Sequence, residues 1–198
     1  LFVPKKNVAC SKQIFIVILS GMNTLTEQFI KEHASDNLDR LLLNASKYQG
    51  VDVAWAVHQI DARRRMSAKL PLWSAEQKLR FPVRLSLEQC SSERTARYKA
   101  SLCSGDTMAD LTGGFGVDCF FIGQQFHKVF YIERNAELCA LAHYNFSVLN
   151  FLQDFTEEKG YSPSYREIQE GLGLSSVSAV MGAQRPSNAP YWLIGYLL

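Results

Sequence analysis

Asp110-Leu111-Thr112-Gly113-Gly114-Phe115-Gly116 follows a short apolar run, and Glu133 stands seventeen positions after Gly116, at the end of a second such run. A glycine turn between a strand and a helix, followed by an acid at the tip of the next strand, is how an open α/β sheet holds an adenosine-bearing cofactor. The acid takes the ribose hydroxyls. The glycines let backbone approach a ligand where a Cβ would collide.

Outward from this turn the pattern is strand, helix, strand, helix. Residues 107–111 read as a short buried strand, 117–125 as a helix, 128–132 as a second strand and 136–146 as a second helix. That order at that spacing predicts a parallel sheet with crossover helices. Upstream, Thr24 with Glu27 fits a capping box. Leu25, Phe29, Leu38, Leu41, Leu42 and Ala45 then space one or two helices closed by Gly50. Asp52 is placed to cap a further helix whose Val53, Ala56, Val57 and Ile60 share a face. Pro71 and Pro82 bracket a looser stretch around Trp73, and 91–102 reads as a helix carrying Arg94, Arg97 and Lys99.

The 198 residues suit one domain, or one domain plus a small module. Apolar residues make up 47% and charged residues 20%, as in an ordinary globular protein, and a net charge of +2 demands no nucleic acid. Between residues 55 and 100, however, ten bases face four acids. That segment suits an anionic substrate such as RNA, or is a solvated basic face. Arg63-Arg64-Arg65 could grip phosphates, although three consecutive helical residues point in different directions. Trp55 and Trp73 read as core. Cys10, Cys90, Cys103, Cys119 and Cys139 show no metal-ligand spacing and read as reduced thiols, which places the protein in the cytoplasm. His33, His58, His127 and His143 are scattered, so no metal is expected. The run 14–19 is too short for a signal peptide core, and residues 1–21 read as a leader or a non-native extension ahead of a helix opening at Met22. The tail 191–198 is apolar but too short to span a membrane.

A dinucleotide site would prefer G-x-G-x-x-G; Gly114 and Gly116 fit, but Cys119 occupies the third position. Asp118 would also oppose a pyrophosphate at the helix start. Both features favour S-adenosylmethionine, a cofactor without phosphates. Asp110-Leu-Thr-Gly-Gly-Phe-Gly-Val-Asp118 resembles motif I of class I S-adenosylmethionine-dependent methyltransferases, and Tyr131-Ile-Glu133-Arg resembles their second motif. Residues 22–146 look like the front half of such an enzyme, related to RNA guanine-N2 methyltransferases, with Leu85–Lys99 similar to the helix that lies beside the cofactor pocket. The resemblance implies cofactor contacts at Asp110, Thr112, Gly113, Gly114, Gly116 and Glu133, and an RNA substrate. It also implies an Asn/Asp-Pro-Pro-aromatic catalytic loop after a fourth strand. The chain has no Pro-Pro dipeptide. It is read as truncated before that motif, and the catalytic residue stays unassigned.

After Phe146 the character changes. Leu149, Leu152 and Phe155 space a helix ending at Lys159-Gly160, Ser164 and Glu167 form a second capping box, and Ser175-Ser176 start another helix. Gly160-Tyr-Ser-Pro-Ser-Tyr-Arg-Glu-Ile168 and Gly171-Leu-Gly-Leu-Ser-Ser-Val-Ser-Ala-Val180 resemble the DNA-binding domain of LexA-type repressors. The resemblance implies that Ser175, Ser176 and Ser178 open a recognition helix into the major groove and that Arg166 contacts phosphate. Asp154, Glu157, Glu158, Glu167 and Glu170 outnumber Lys159 and Arg166, which weakens phosphate attraction.

The expected organisation is therefore α/β. A helical region occupies 22–104, a partial Rossmann-like S-adenosylmethionine-binding βαβα unit 105–146, a LexA-like helix-turn-helix 147–181 and an irregular tail 182–198. The expected function is an S-adenosylmethionine-dependent methyltransferase acting on RNA. The alternatives are a LexA-like transcriptional regulator binding duplex DNA, or a chimeric fragment with neither activity.

Overall fold

The computed structural model describes residues 24–172 and 191–196. The expected leader, Met22, Ser175, Ser176 and Ser178 lie outside the described residues.

The upstream region is helical, as its periodicity predicts: α1 (Thr24–Glu32), α2 (Leu38–Leu43), a 3-10 turn (Ala45–Lys47) and α3 (Val53–Met66). Asn37 caps α2 by accepting from the Arg40 amide at 2.9 Å, and Asp52 caps α3 by accepting from the Trp55 amide at 3.0 Å. Each satisfies a donor that a helix start leaves unpaired. Phe29, Ile30, Leu41, Val53, Ala56, Val57 and Ile60 bury together. Glu27 does not turn back to close a capping box. Its carboxylate crosses to Lys78 at 3.2 Å and Arg80 at 2.8 Å, both almost fully buried. Charges removed from water need a counter-charge far more than an amide at an exposed helix end needs a cap.

Three short helices, α4 (Pro71–Ala75), α5 (Arg84–Gln89) and α6 (Glu93–Ser101), lead into the sheet. Then come β1 (Gly105–Asp110), α7 (Val117–Gly123), β2 (Phe126–Glu133), α8 (Ala136–Lys159), α9 (Tyr165–Gly171) and β3 (Tyr191–Tyr196). The strands are parallel in the order β1-β2-β3, with Asp110 paired to Tyr131 and Glu133 to Tyr196.

Three features differ from the sequence-based expectation. Residues 191–196, expected as irregular tail, add a third strand beside β2. The run Tyr-Trp-Leu-Ile-Gly-Tyr has strand-forming residues but no alternation, so periodicity alone does not declare it. Second, α8 is one helix of 24 residues, about 36 Å long at ~1.5 Å per residue, and passes straight through the expected boundary at 146/147. It contains no Gly or Pro, starts on an Asn135 cap and stops at Gly160 with φ +77°. Third, β1 is not buried. Thr107 and Ala109, which share one face of the strand, are exposed, and among the described residues β1 pairs on one edge only, with β2.

The main core unites both halves. Trp73, Phe115, Phe120, Val129, Tyr131 and Phe146 share one cluster with Ile168 and Leu172 from α9 and its C-terminal cap. Trp73 is fully buried edge-on to Phe115, with ring centroids 4.9 Å apart. The expected capping box is present at α9: Ser164 N donates to Glu167 Oε2 at 2.7 Å and Glu167 N to Ser164 Oγ at 3.3 Å.

Candidate functional site

The glycine turn is built by short local bonds. Gly113 N donates to Ile132 O at 2.9 Å, tying the turn to β2, and Gly116 N donates to Gly113 O at 2.8 Å. Gly114 and Gly116 have φ of +54° and +89°, in the left-handed region that favours glycine. Their surroundings differ. A Cβ on Gly116 would lie 2.6 Å from Phe146 Cζ, and one on Gly113 would lie 2.1 Å from the Tyr131 ring. A Cβ on Gly114 would meet only Thr112 O, at 3.8 Å. Two of the three glycines are thus required by the protein's own aromatic core. At Gly113 and Gly116 the missing Cβ makes room for the chain's own rings, whereas no ring of the protein crowds Gly114.

The turn opens into a cavity of about 730 Å³, within the ~300–1,000 Å³ usual for small-molecule sites. Asp110, Thr112, Gly113, Gly114, Gly116 and Glu133 all line it, so the structure brings the six expected site residues together. Glu133 is held by backbone: Gly114 N donates to its Oε2 at 2.8 Å and Asn135 N to its Oε1 at 2.7 Å. A carboxylate offers about four acceptor positions, so about two remain. Tyr131 Oη donates to Gly114 O at 2.6 Å, and burial pushes its hydroxyl well above the usual tyrosine range. Asp110 accepts from Thr112 N at 3.1 Å. Burial raises its carboxyl above the ordinary carboxylate range against that hydrogen bond, and Asp118 and Glu133 push the same way. Burial also pushes the Cys119 thiol far up, so this cysteine is an inert core group.

Across the cavity lies a cluster that sequence reading did not assign to the site. Lys99 Nζ of α6 reaches Asp118 Oδ2 at 2.7 Å and Ser91 Oγ at 3.0 Å, and Ser91 Oγ donates to Asp118 Oδ2 at 2.8 Å. Lys99 and Asp118 are nineteen residues apart with no shared element, so spacing could not pair them. The similarity of 85–99 to a pocket-side helix was the one available signal.

Only part of the basic segment is internal: Lys78 and Arg80 are buried, Arg63, Lys69 and Lys99 are partly buried, and Arg64, Arg65, Arg84, Arg94 and Arg97 are exposed. Arg63 donates to Gln77 O and Leu79 O at 2.8 and 2.7 Å, and burial lowers its guanidinium to about 10. Arg64 donates to Ala34 O and Asp36 O, Arg65 pairs with Asp61, Lys69 donates to Leu87 O and Glu88 O, and Arg84 pairs with Glu88. Arg94 and Arg97 face outward, the latter over the Phe121 ring at 4.5 Å. Arg166, expected on phosphate, pairs with Glu170 at 2.7 Å and is 86% exposed. Among the described residues no cluster could hold a metal, and no helix is long and apolar enough to cross a membrane.

The profile of the LexA DNA binding domain matches residues 140–183. The LexA repressor of Roseiflexus sp. (strain RS-1) is 58% identical over 33 residues, covering 17% of this chain and 15% of that repressor. The LexA repressor of Koribacter versatilis (strain Ellin345) is 46% identical over 43 residues, covering 22% and 20%. The fold is similar to a crystal structure described as a "putative methyltransferase from Porphyromonas gingivalis W83", with a TM-score of 0.55 and 31% identity over 69% of this chain. The chain spans 32% of that protein's length. It therefore joins a methyltransferase-like fold to a segment similar to the LexA DNA binding domain. The LexA match begins inside α8, the helix that packs on the methyltransferase-like sheet.

Proposed function

We propose that the cavity at the glycine turn is an S-adenosylmethionine site of a class I methyltransferase, contacted by Asp110, Thr112, Gly113, Gly114, Gly116 and Glu133. The supporting observation is Glu133. Two backbone amides hold it at the cavity wall, and its remaining acceptor positions suit the two ribose hydroxyls. Asp110 supplies negative charge for the sulfonium and the amine of the ligand's tail. When bound, the cofactor would supply an activated methyl group. No residue of this chain is assigned to orient a methyl acceptor, and the catalytic residue stays unknown. An RNA substrate follows from the family resemblance, and exposed Arg94, Arg97 and Tyr98 on α6 are the groups that would meet it. Calorimetry with S-adenosylhomocysteine tests the site: Glu133→Ala should weaken binding by at least ~10-fold, the loss of one to two hydrogen bonds to a charged group. Unchanged affinity would remove the site from this cavity.

The second reading, duplex-DNA binding by the helical segment after α8, is supported by the family match at 140–183 and the capped helix α9. It predicts binding that falls steeply with salt. Arg166→Ala should reduce that slope; an unchanged slope and affinity would take Arg166 out of the interface.

A further inference from the structure

Resting on the cofactor site proposed above, we infer that Lys99 receives the α-carboxylate of the ligand's amino-acid tail, with Ser91 and Asp118 holding its ammonium group in place. S-adenosylmethionine carries one negative group, the carboxylate, on a tail that also bears an amine and a sulfonium. Three carboxylates line the cavity, Asp110, Asp118 and Glu133, against two cations, Lys99 and Arg134. Arg134 follows Glu133 directly and so belongs to the ribose end. The tail, running away from Glu133, meets Lys99 as the cation of its own end.

Lys99 is built for this task. An ammonium has three donors. One goes to Asp118 Oδ2 at 2.7 Å and one to Ser91 Oγ at 3.0 Å, which leaves one for a ligand. The Lys99 side chain is 43% exposed, on the cavity side, so a ligand reaches it without unfolding anything. Asp118 holds the ammonium group in place at 2.7 Å. Its Oδ1 is buried with no donor among the described residues, so the carboxylate is held by the lysine and Ser91 alone. The ligand class is thus an adenosine thioether or sulfonium bearing a free α-amino acid, in preference to the same nucleoside without the carboxylate.

The test is calorimetric titration of the full chain with three ligands: S-adenosylhomocysteine, its decarboxylated analogue and 5′-methylthioadenosine, which lacks the whole tail. Lys99→Met should weaken S-adenosylhomocysteine by ~10- to 100-fold, the range for a hydrogen bond between charged groups, and leave the other two within about twofold. Lys99→Arg, which keeps the charge, should restore most of the preference. Equal weakening of all three ligands would show that Lys99 only shapes the pocket, and no weakening of any would show that the tail lies elsewhere; either result overturns the inference while leaving the cofactor site intact. Failure of the unaltered protein to bind all three would overturn the cofactor site and this inference together.

Discussion

Gly116→Ala should cost far more stability than Gly114→Ala, although both glycines sit in one motif with positive φ. At either position an L side chain in the left-handed region costs ~1–2 kcal/mol. Replacing glycine also restricts the unfolded chain, which returns ~0.4–1 kcal/mol. At Gly114 nothing else is added, since the new Cβ meets only Thr112 O at 3.8 Å. The net cost there is ~0–1.5 kcal/mol. At Gly116 the Cβ lies 2.6 Å from Phe146 Cζ and 3.0 Å from its Cε1. Phe146 cannot easily retreat: it is 2% exposed, with the Tyr131 ring centroid at 5.5 Å and the Phe120 centroid at 6.2 Å. Overpacking of this kind adds ~1–3 kcal/mol. The two variants should then differ by about 2 kcal/mol, or roughly 1 M in urea midpoint at a slope of about 2 kcal/mol per M. Tryptophan fluorescence reports the transition, because Trp73 sits in the same core. Equal midpoints, or a larger loss at Gly114, would refute the assignment of Gly116 to core packing.

Three further outcomes follow from the geometry. Glu27→Gln takes the carboxylate from Arg80 and should cost ~3–5 kcal/mol by thermal unfolding; a loss below about 1 kcal/mol would mean that water screens the cluster. Asn145 accepts from Arg80 N at 2.9 Å and donates to Arg80 O at 2.8 Å while fully buried, so Asn145→Leu should cost ~1–3 kcal/mol for each stranded group, and a neutral result would refute that role. Burial holds the Asp110 carboxyl above its ordinary 3.8, so the folded chain binds this proton more tightly than the unfolded chain and stability falls as pH rises from there. Asp110→Asn keeps an oxygen for Thr112 N and should raise the melting temperature at pH 7, with the gain vanishing near pH 3; a gain independent of pH would exclude the charge as its cause.

Local chemistry announced much of this protein. The caps at Asp52 and Ser164, the glycine stop at Gly160 and the strand-turn-helix at Asp110–Gly116 depend on neighbours within a few residues, and each is where its residue types require. The pairing of the turn with Glu133 was likewise legible, because adjacent parallel strands joined by one short helix bring their C-terminal ends together. Partners far apart along the chain are another matter. Composition counts ten bases between residues 55 and 100 but cannot show that Arg63, Lys78 and Arg80 point inward, where carbonyls and Glu27 meet them. The motif names Gly113 and Gly116 but not Tyr131 and Phe146, the rings that forbid a side chain there. Likewise, the change of family resemblance at Phe146 marks no structural boundary, since α8 runs unbroken across it and both sides feed one core. Lys99 enters the site only because α6 packs beside α7. Periodicity and capping act within a turn or two of the backbone, whereas burial, charge pairing and ring packing depend on which surfaces meet once the chain has closed on itself.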